Sequence, residues 1–338
     1  MEKLKNFFRC KRRKSEAAEK KDEKAPPPQE EGQEESQGDH VKENLVPIVQ
    51  PPTVEGEVPS YFQVNALANM SLLNGYENGV WKLQTTTKTK SDLFLSSFGE
   101  GYPFLNNAYG GVEALQEMGP FHAALCWLTN QEFLLDLGAN DEALSGQWFS
   151  VLKFGAATAE ELQFTAKLRL GFERNPIKME LEVPIYRQPL LKGYLMVVPV
   201  EHFALGYRTV FDVNDKKFGM HAFCVGFNNQ STEISLKLEN FEHLRGTIFQ
   251  RLFGKWALAL KTDIYGNVDQ RNLHVGCQYE WGPGTLIKTK IRGDARLGFI
   301  VERKLSEAIR MVYNCSFDGK DPLNGEIRMG AAWYFNLM

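Results

Sequence analysis

Between residues 162 and 172 every second side chain is apolar. Leu162, Phe164, Ala166, Leu168, Leu170 and Phe172 take one side, and Gln163, Thr165, Lys167, Arg169 and Gly171 take the other. A strand sends successive side chains to opposite faces, so this run predicts a strand with one apolar and one charged face. Residues 177–185 repeat the pattern, with Ile177, Met179, Leu181, Val183 and Ile185 against Lys178, Glu180, Glu182 and Pro184. Residues 284–292 set Thr285, Ile287, Thr289 and Ile291 against Leu286, Lys288, Lys290 and Arg292. Many runs reach about nine or ten residues, where soluble strands average about five to six. Nine or ten is the length a tilted strand needs to cross a bilayer. Turn residues punctuate the runs at Asn175-Pro176, Asn214-Asp215, Gly282-Pro283-Gly284 and Gly293-Asp294. Short turns favour antiparallel neighbours. In lipid such a sheet must close, because an open edge leaves backbone groups without partners. Tyr186, Phe203, Phe227, Trp256 and Trp281 stand near predicted strand ends, where membrane interfaces favour aromatic rings.

The composition agrees. The 338 residues are 43% apolar with a formal charge of −3. No run of about eighteen apolar residues predicts a membrane helix, and no apolar signal-peptide core opens the chain. A transmembrane barrel alternates lipid-facing and interior residues, so its average composition looks soluble. The 5 cysteines are odd in number and form no CxxC, which argues against a disulfide framework or zinc site and for free thiols.

Residues 1–55 differ in kind. They carry Pro26-Pro27-Pro28, many charged and polar residues and few large apolar ones. Such a segment buries too little to offset its ordering entropy, so a disordered charged tail is expected. Residues 1–14 hold 7 Lys/Arg and the single acid Glu2, with Leu4, Phe7 and Phe8 among them. This block suits either solvent or an anionic membrane surface. Residues 56–79 are expected to form a helix and hinge, and 80–338 the barrel.

Several short motifs stand in a telling order. Pro59-Ser60-Tyr61, Gly75-Tyr76, Gly79-Val80-Trp81-Lys82-Leu83 and Lys88-Thr89-Lys90-Ser91 come first. Leu205-Gly206-Tyr207-Arg208-Thr209, Gly246-Thr247-Ile248-Phe249-Gln250-Arg251 and Phe317-Asp318-Gly319-Lys320 follow. The last run, with Arg328, Gly330, Trp333 and Phe335, resembles the carboxy-terminal sorting signal of mitochondrial outer-membrane barrels. Together these resemble the mitochondrial voltage-dependent anion channels, the eukaryotic porins, as a divergent insect-type paralogue. The resemblance runs from about Pro59 onward. It implies an all-β, 19-stranded transmembrane barrel whose first and last strands pair in parallel, with an N-terminal helix inside the pore. It implies a voltage-gated, weakly selective diffusion pore for ions and small metabolites in the mitochondrial outer membrane, surrounded by membrane lipids. Gly75 and Gly79 would be its hinge. The family's weak binding of nicotinamide and adenine nucleotides maps to Arg296, Leu297, Gly298, Asn314 and Asp318, with no resident cofactor.

The departures are specific. Tyr61 through Tyr76 contain no charged residue, whereas the family's helix carries several. Leu125, two residues before Trp127, stands where the family often has a lipid-facing glutamate. Glu77 replaces a hinge glycine. Residues 1–55 hold 11 of 39 Lys/Arg and 12 of 42 Asp/Glu, which leaves 28 and 30 beyond them, net −2. A wide pore selects by its summed field, so weak anion preference or cation preference is expected.

Lys167, Arg169, Lys178, Arg208, Lys288, Lys290 and Arg292 lie opposite apolar residues and are the expected pore-lining cations. Asp212-Val213-Asn214-Asp215-Lys216 reads as a hairpin turn, since Lys216 replaces a calcium ligand. No metal-ligand spacing, phosphate loop, nucleophile elbow or catalytic carboxylate pair occurs, so no catalytic residue, metal site or enzyme activity is expected. No nucleic-acid partner is implied. A second reading makes the chain a plugged or non-conducting barrel, an interaction platform whose tail meets cytosolic or outer-membrane proteins. A third, a protein-import barrel, fits the quoted motifs less well.

Overall fold

The computed structural model describes residues 58–338, apart from 77–78, 144–145, 159–161, 188, 230, 267–271, 323–324 and 338. The tail expected at 1–55 and the hinge residue Glu77 lie outside the described residues. Among the described residues, a 3-10 turn at Tyr61–Gln63 and a helix, α1 (Ala66–Leu72), precede nineteen strands, with a second 3-10 turn at Pro103–Leu105 between the second and third. The first six are β1 (Trp81–Lys88), β2 (Phe94–Tyr102), β3 (Asn107–Met118), β4 (Phe121–Leu128), β5 (Glu132–Ala143) and β6 (Gly146–Thr158). The next six are β7 (Leu162–Arg174), β8 (Ile177–Tyr186), β9 (Leu190–Val200), β10 (Phe203–Asp212), β11 (Lys217–Asn228) and β12 (Thr232–Glu239). The last seven are β13 (His243–Leu252), β14 (Trp256–Tyr265), β15 (His274–Gly282), β16 (Thr285–Arg292), β17 (Arg296–Lys304), β18 (Ile309–Asp318) and β19 (Arg328–Leu337).

Each strand pairs antiparallel with the next, and β1 closes the sheet by pairing parallel with β19, from Trp81 opposite Ala331 to Thr87 opposite Leu337. Closure leaves no open edge, as a sheet in lipid requires. The outer face is apolar. Phe164, Leu170, Met179, Trp127 and Leu125 all stand exposed on it. No described helix is long and apolar enough to cross a membrane. The strands do the crossing.

The Gly-rich region 97–119, hardest to register from sequence, forms β2 and β3 in a regular pair with Gly99 opposite Gly110. Aromatics cluster at strand ends as expected, with Phe203 5.0 Å from Phe227 and Trp256 4.4 Å from Tyr279. Asp212 Oδ1 accepts the amides of Asn214 at 2.9 Å and Asp215 at 3.1 Å, which makes that segment the β10–β11 hairpin turn. Cys224, Cys277 and Cys315 are free. Cys126 is disulfide-bonded, which corrects the expectation of free thiols throughout.

The inner wall and its helix as candidate functional site

The segment leading into the barrel is short, apolar and uncharged. It lies on the inner face, opposite the exposed apolar one. Leu67, Ala68 and Leu72 of α1 pack on Phe249, Ala257 and Ala259 of β13 and β14. Before the helix, Val58 and Tyr61 pack on Met196, Ala204, Ala222 and Cys224 of β9 to β11. After it, Tyr76 packs on Ile300, Val312 and Ala332. The wall makes room with glycine. A side chain on Gly226 would lie 2.4 Å from Val64, and one on Gly276 2.5 Å from Leu72. Tyr61 and Tyr76 are seated in the same way over Gly206 and Gly298.

The helix has no charge of its own, and the wall supplies charge at both its ends. Glu233 of β12 is fully buried, and its Oε2 accepts the Ala68 amide at 2.9 Å. At the other end Lys288 Nζ donates to the Met70 carbonyl at 3.2 Å, and Lys290 Nζ to the Leu72 carbonyl at 3.0 Å. Helix ends leave amides and carbonyls without partners and carry opposite partial charges. A carboxylate at the first turn and two ammonium groups at the last answer both needs. Such charge-assisted bonds contribute about 1.5–3 kcal/mol each, offset in part by the cost of burying the charges. Lys290 also lies 4.0 Å over the Tyr76 ring, and Lys288 lies 3.6 Å from Glu302. Burial of the Tyr76 phenol pushes its pKa up.

All seven cations expected on the inner face lie there, but in two settings. Lys288 and Lys290 are covered by α1 instead of standing in open water. Four of the others are drawn into ion pairs along the wall, and Arg208 stacks on aromatic rings. Lys167 lies 3.6 Å from Glu182, which also faces Lys192 at 3.9 Å. Arg169 pairs with Glu180, Lys178 with Glu173 at 2.8 Å, and Arg292 with Asp294 at 3.2 Å. Arg208 stacks over Phe62 and Tyr194, 5.7 and 5.9 Å from their centres. Sequence reading passed over Glu233. Its signal is an inward row, Glu233, Ser235, Lys237 and Glu239, opposite Ile234, Leu236 and Leu238.

Gly75 and Gly79, the residues expected to form a hinge, adopt left-handed backbone, with φ of 85° and 77°. This conformation disfavours other residues. The expected nucleotide residues do not form one patch. Arg296, Gly298, Asn314 and Asp318 share the inner face, while Leu297 alternates to the outer one. Tyr76 covers Gly298, and Asn314 is buried. In β19, Trp333 and Phe335 face outward, Trp333 lies 5.7 Å from Trp81, and Arg328 pairs with Glu326 at 2.7 Å.

A family model described as eukaryotic porin matches residues 57–330. The voltage-dependent anion-selective channel of Drosophila melanogaster is 20% identical over 274 residues, 80% of this chain and 96% of that one. The non-selective voltage-gated ion channel VDAC1 of Rattus norvegicus is 20% identical over 281 residues, 82% of this chain and 98% of that one. Among solved structures, a mutant of the Rh. blastica porin shares 6% identity over 71% of this chain and 98% of its own, with a TM-score of 0.47. With its closed nineteen-stranded barrel and its match along most of its length, the chain belongs to the eukaryotic porin family.

Proposed function

We propose that the chain is a voltage-gated, weakly selective diffusion pore for ions and small metabolites in the mitochondrial outer membrane. The observation that carries this is the barrel interior, walled by paired charges with a helix held against one side. Neutralising pairs leave little net field, so either ion sign passes. The relatives are named as voltage-gated or anion-selective channels, which supports voltage response here. The β19 pattern at Arg328, Gly330, Trp333 and Phe335 supports the mitochondrial assignment. Because α1 is fixed at both ends, gating by rearrangement of the barrel wall suits this geometry better than departure of the helix. Nucleotides passing through would meet Arg296 and Asp318 at the strand ends and not Gly298 beneath Tyr76. Recording from refolded protein in a planar bilayer under a KCl gradient tests the reading. Stepwise currents that fall at high voltage of either sign support it, and a silent, correctly folded barrel overturns it.

A further inference from the structure

The lipid-facing side of the barrel has one polar break. Among the described strands, His221 of β11 is the only Asp, Glu, Lys, Arg or His on the outer face more than two residues from a strand end. It shares that face with Tyr207, Thr209 and Phe223, while Ala222 and Cys224 beside it turn inward. Its Nδ1 lies 2.8 Å from the Tyr207 hydroxyl and 3.4 Å from that of Thr209. Its Nε2 has no partner among the described residues. With the phenol donating to Nδ1, the ring proton sits on Nε2 and makes that atom a donor. Ionisable side chains facing lipid are costly and usually tied to a function.

His221 stands at the depth of the bilayer boundary. The ladder between β11 and β12 stops at Ala222 opposite Glu239, where the β12–β13 turn begins. The His221 amide donates to Asn240 Oδ1 at 2.8 Å, and the Asn240 amide donates to the His221 carbonyl at 2.7 Å. Residues 217–220 run on past this turn with no strand paired on that side, which leaves a notch in the rim. Gly219 is skipped in the ladder with β10 as well, and a side chain there would meet nothing within 4 Å. Aromatic rings frame the notch. Phe218 lies 4.9 Å from the His221 ring, and Tyr207 stacks on it at 6.2 Å. Phe223 lies 4.8 Å from Tyr207 and 5.4 Å from Phe241. Phe218 and Phe241 are 61% and 67% exposed. Phe241 also takes left-handed backbone, with φ of 59°, which bulky residues rarely adopt.

We infer that this notch seats the phosphate of a bilayer phospholipid, with His221 Nε2–H as its donor and the surrounding rings against its glycerol and upper acyl chains. The occupant follows from depth and chemistry. Barrel turns and exposed aromatic rings mark the zone between hydrocarbon and water, which is where lipid phosphates lie. Phosphate oxygens only accept, and the notch offers donors in His221 Nε2 and the Gly219 amide. The hairpin beyond it carries Lys216 and Lys217 against Asp212 and Asp215, so its charge balances. The seat therefore reads the phosphodiester and not the net charge of the headgroup. A free phosphate ion lacks the chains that the rings would cover. Tyr207 is a positioning residue, since its bond to Nδ1 sets which ring nitrogen carries the proton. The seat needs the barrel in a bilayer but not an open pore.

The test is native mass spectrometry of the refolded full chain in detergent, titrated with dioleoylphosphatidylcholine, dioleoylphosphatidylglycerol, dioleoylglycerol or inorganic phosphate. Both phospholipids are expected to be retained alike, dioleoylglycerol far less, and inorganic phosphate neither to bind nor to displace them. His221→Phe should weaken retention about tenfold, the loss of one bond to a charged acceptor. His221→Gln keeps a side-chain donor and should recover part of it. Ring nitrogen resonances of His221 should show the proton on Nε2 in the unmodified chain and a mixture of tautomers in Tyr207→Phe. Equal retention of phospholipid and dioleoylglycerol by the unmodified chain removes phosphate from the site and overturns the inference, whatever the variants do. Displacement by inorganic phosphate overturns it in favour of a free-anion site. Unchanged retention in His221→Phe, with the same β circular dichroism, overturns the role of His221. A proton on Nδ1 in the unmodified chain overturns the donor assignment.

Discussion

Glu233 shows how one residue can matter here without announcing itself. Its side chain is fully buried and its Oε2 accepts the Ala68 amide. Replacing it with alanine removes the acceptor and leaves that donor dry. An unsatisfied buried donor costs about 1–3 kcal/mol. Glu233→Ala is therefore expected to speed amide hydrogen exchange across residues 61–76 about tenfold. Exchange elsewhere in the barrel should stay unchanged. Equal exchange in both proteins would remove Glu233 from the clamp. Gly75→Ala is expected to act on the same segment by another route. Its φ of 85° strains an L residue, and the new methyl would lie 3.1 Å from Ile300 Cδ1. About 1–2 kcal/mol of destabilisation follows, visible as a lower yield of refolded barrel. The inward cations were legible because alternation alone sorts Lys167 or Arg169 from Leu168. The role of Glu233 was not, because its partner Ala68 lies 165 residues earlier and no local pattern links them.

At the scale of elements, the strands were readable where both faces carry contrasting side chains, as in β7, β8 and β16. They were hard to read in β2 and β3, because glycines at 99, 101, 110 and 111 leave the period without a signal. The tertiary ladder supplies the register there. The helix posed the opposite problem. Its apolar residues Leu67, Ala68 and Leu72 stand plain in the sequence, but their seats on the wall do not. Glycines that look like weak points in β11 and β15 are places where Val64 and Leu72 sit close to the backbone. Gly276→Val is expected to unseat Leu72 while leaving the strand intact, since valine suits strands. The measurable outcome is loss of protection in the helical segment, with unchanged β circular dichroism. The parallel seam offers a separate check. Trp333→Ala removes the contact with Trp81, and such aromatic pairs contribute about 0.5–1.5 kcal/mol beyond buried area. A lower thermal midpoint is expected, with barrel closure retained through the β1–β19 ladder.

At the scale of the whole molecule, selectivity is a sum over the inner wall, and pairing decides it more than the count of cations. The region beyond residue 55 is net −2, and its inner cations are mostly matched. The arrangement predicts a reversal potential near zero under a KCl gradient, weakly anionic or tilted toward cations. A strongly anion-selective potential would contradict the pairing argument. A sharper version changes the pairing alone. Glu180 and Glu182 answer Arg169, Lys167 and Lys192 on adjoining strands. Glu180→Gln with Glu182→Gln keeps shape and polarity but removes two carboxylates that face Arg169, Lys167 and Lys192. The reversal potential should move toward anions, and more so at low salt, where the screening length rises from about 10 Å at 0.1 M to about 30 Å at 0.01 M. A neutral pair of substitutions on the outer face, Leu181→Met with Met179→Leu, should leave it unmoved. If the glutamine pair also leaves it unmoved, the charges on β7 to β9 do not set the field that ions meet, and selectivity lies with the mouth or with the segment that precedes Val58.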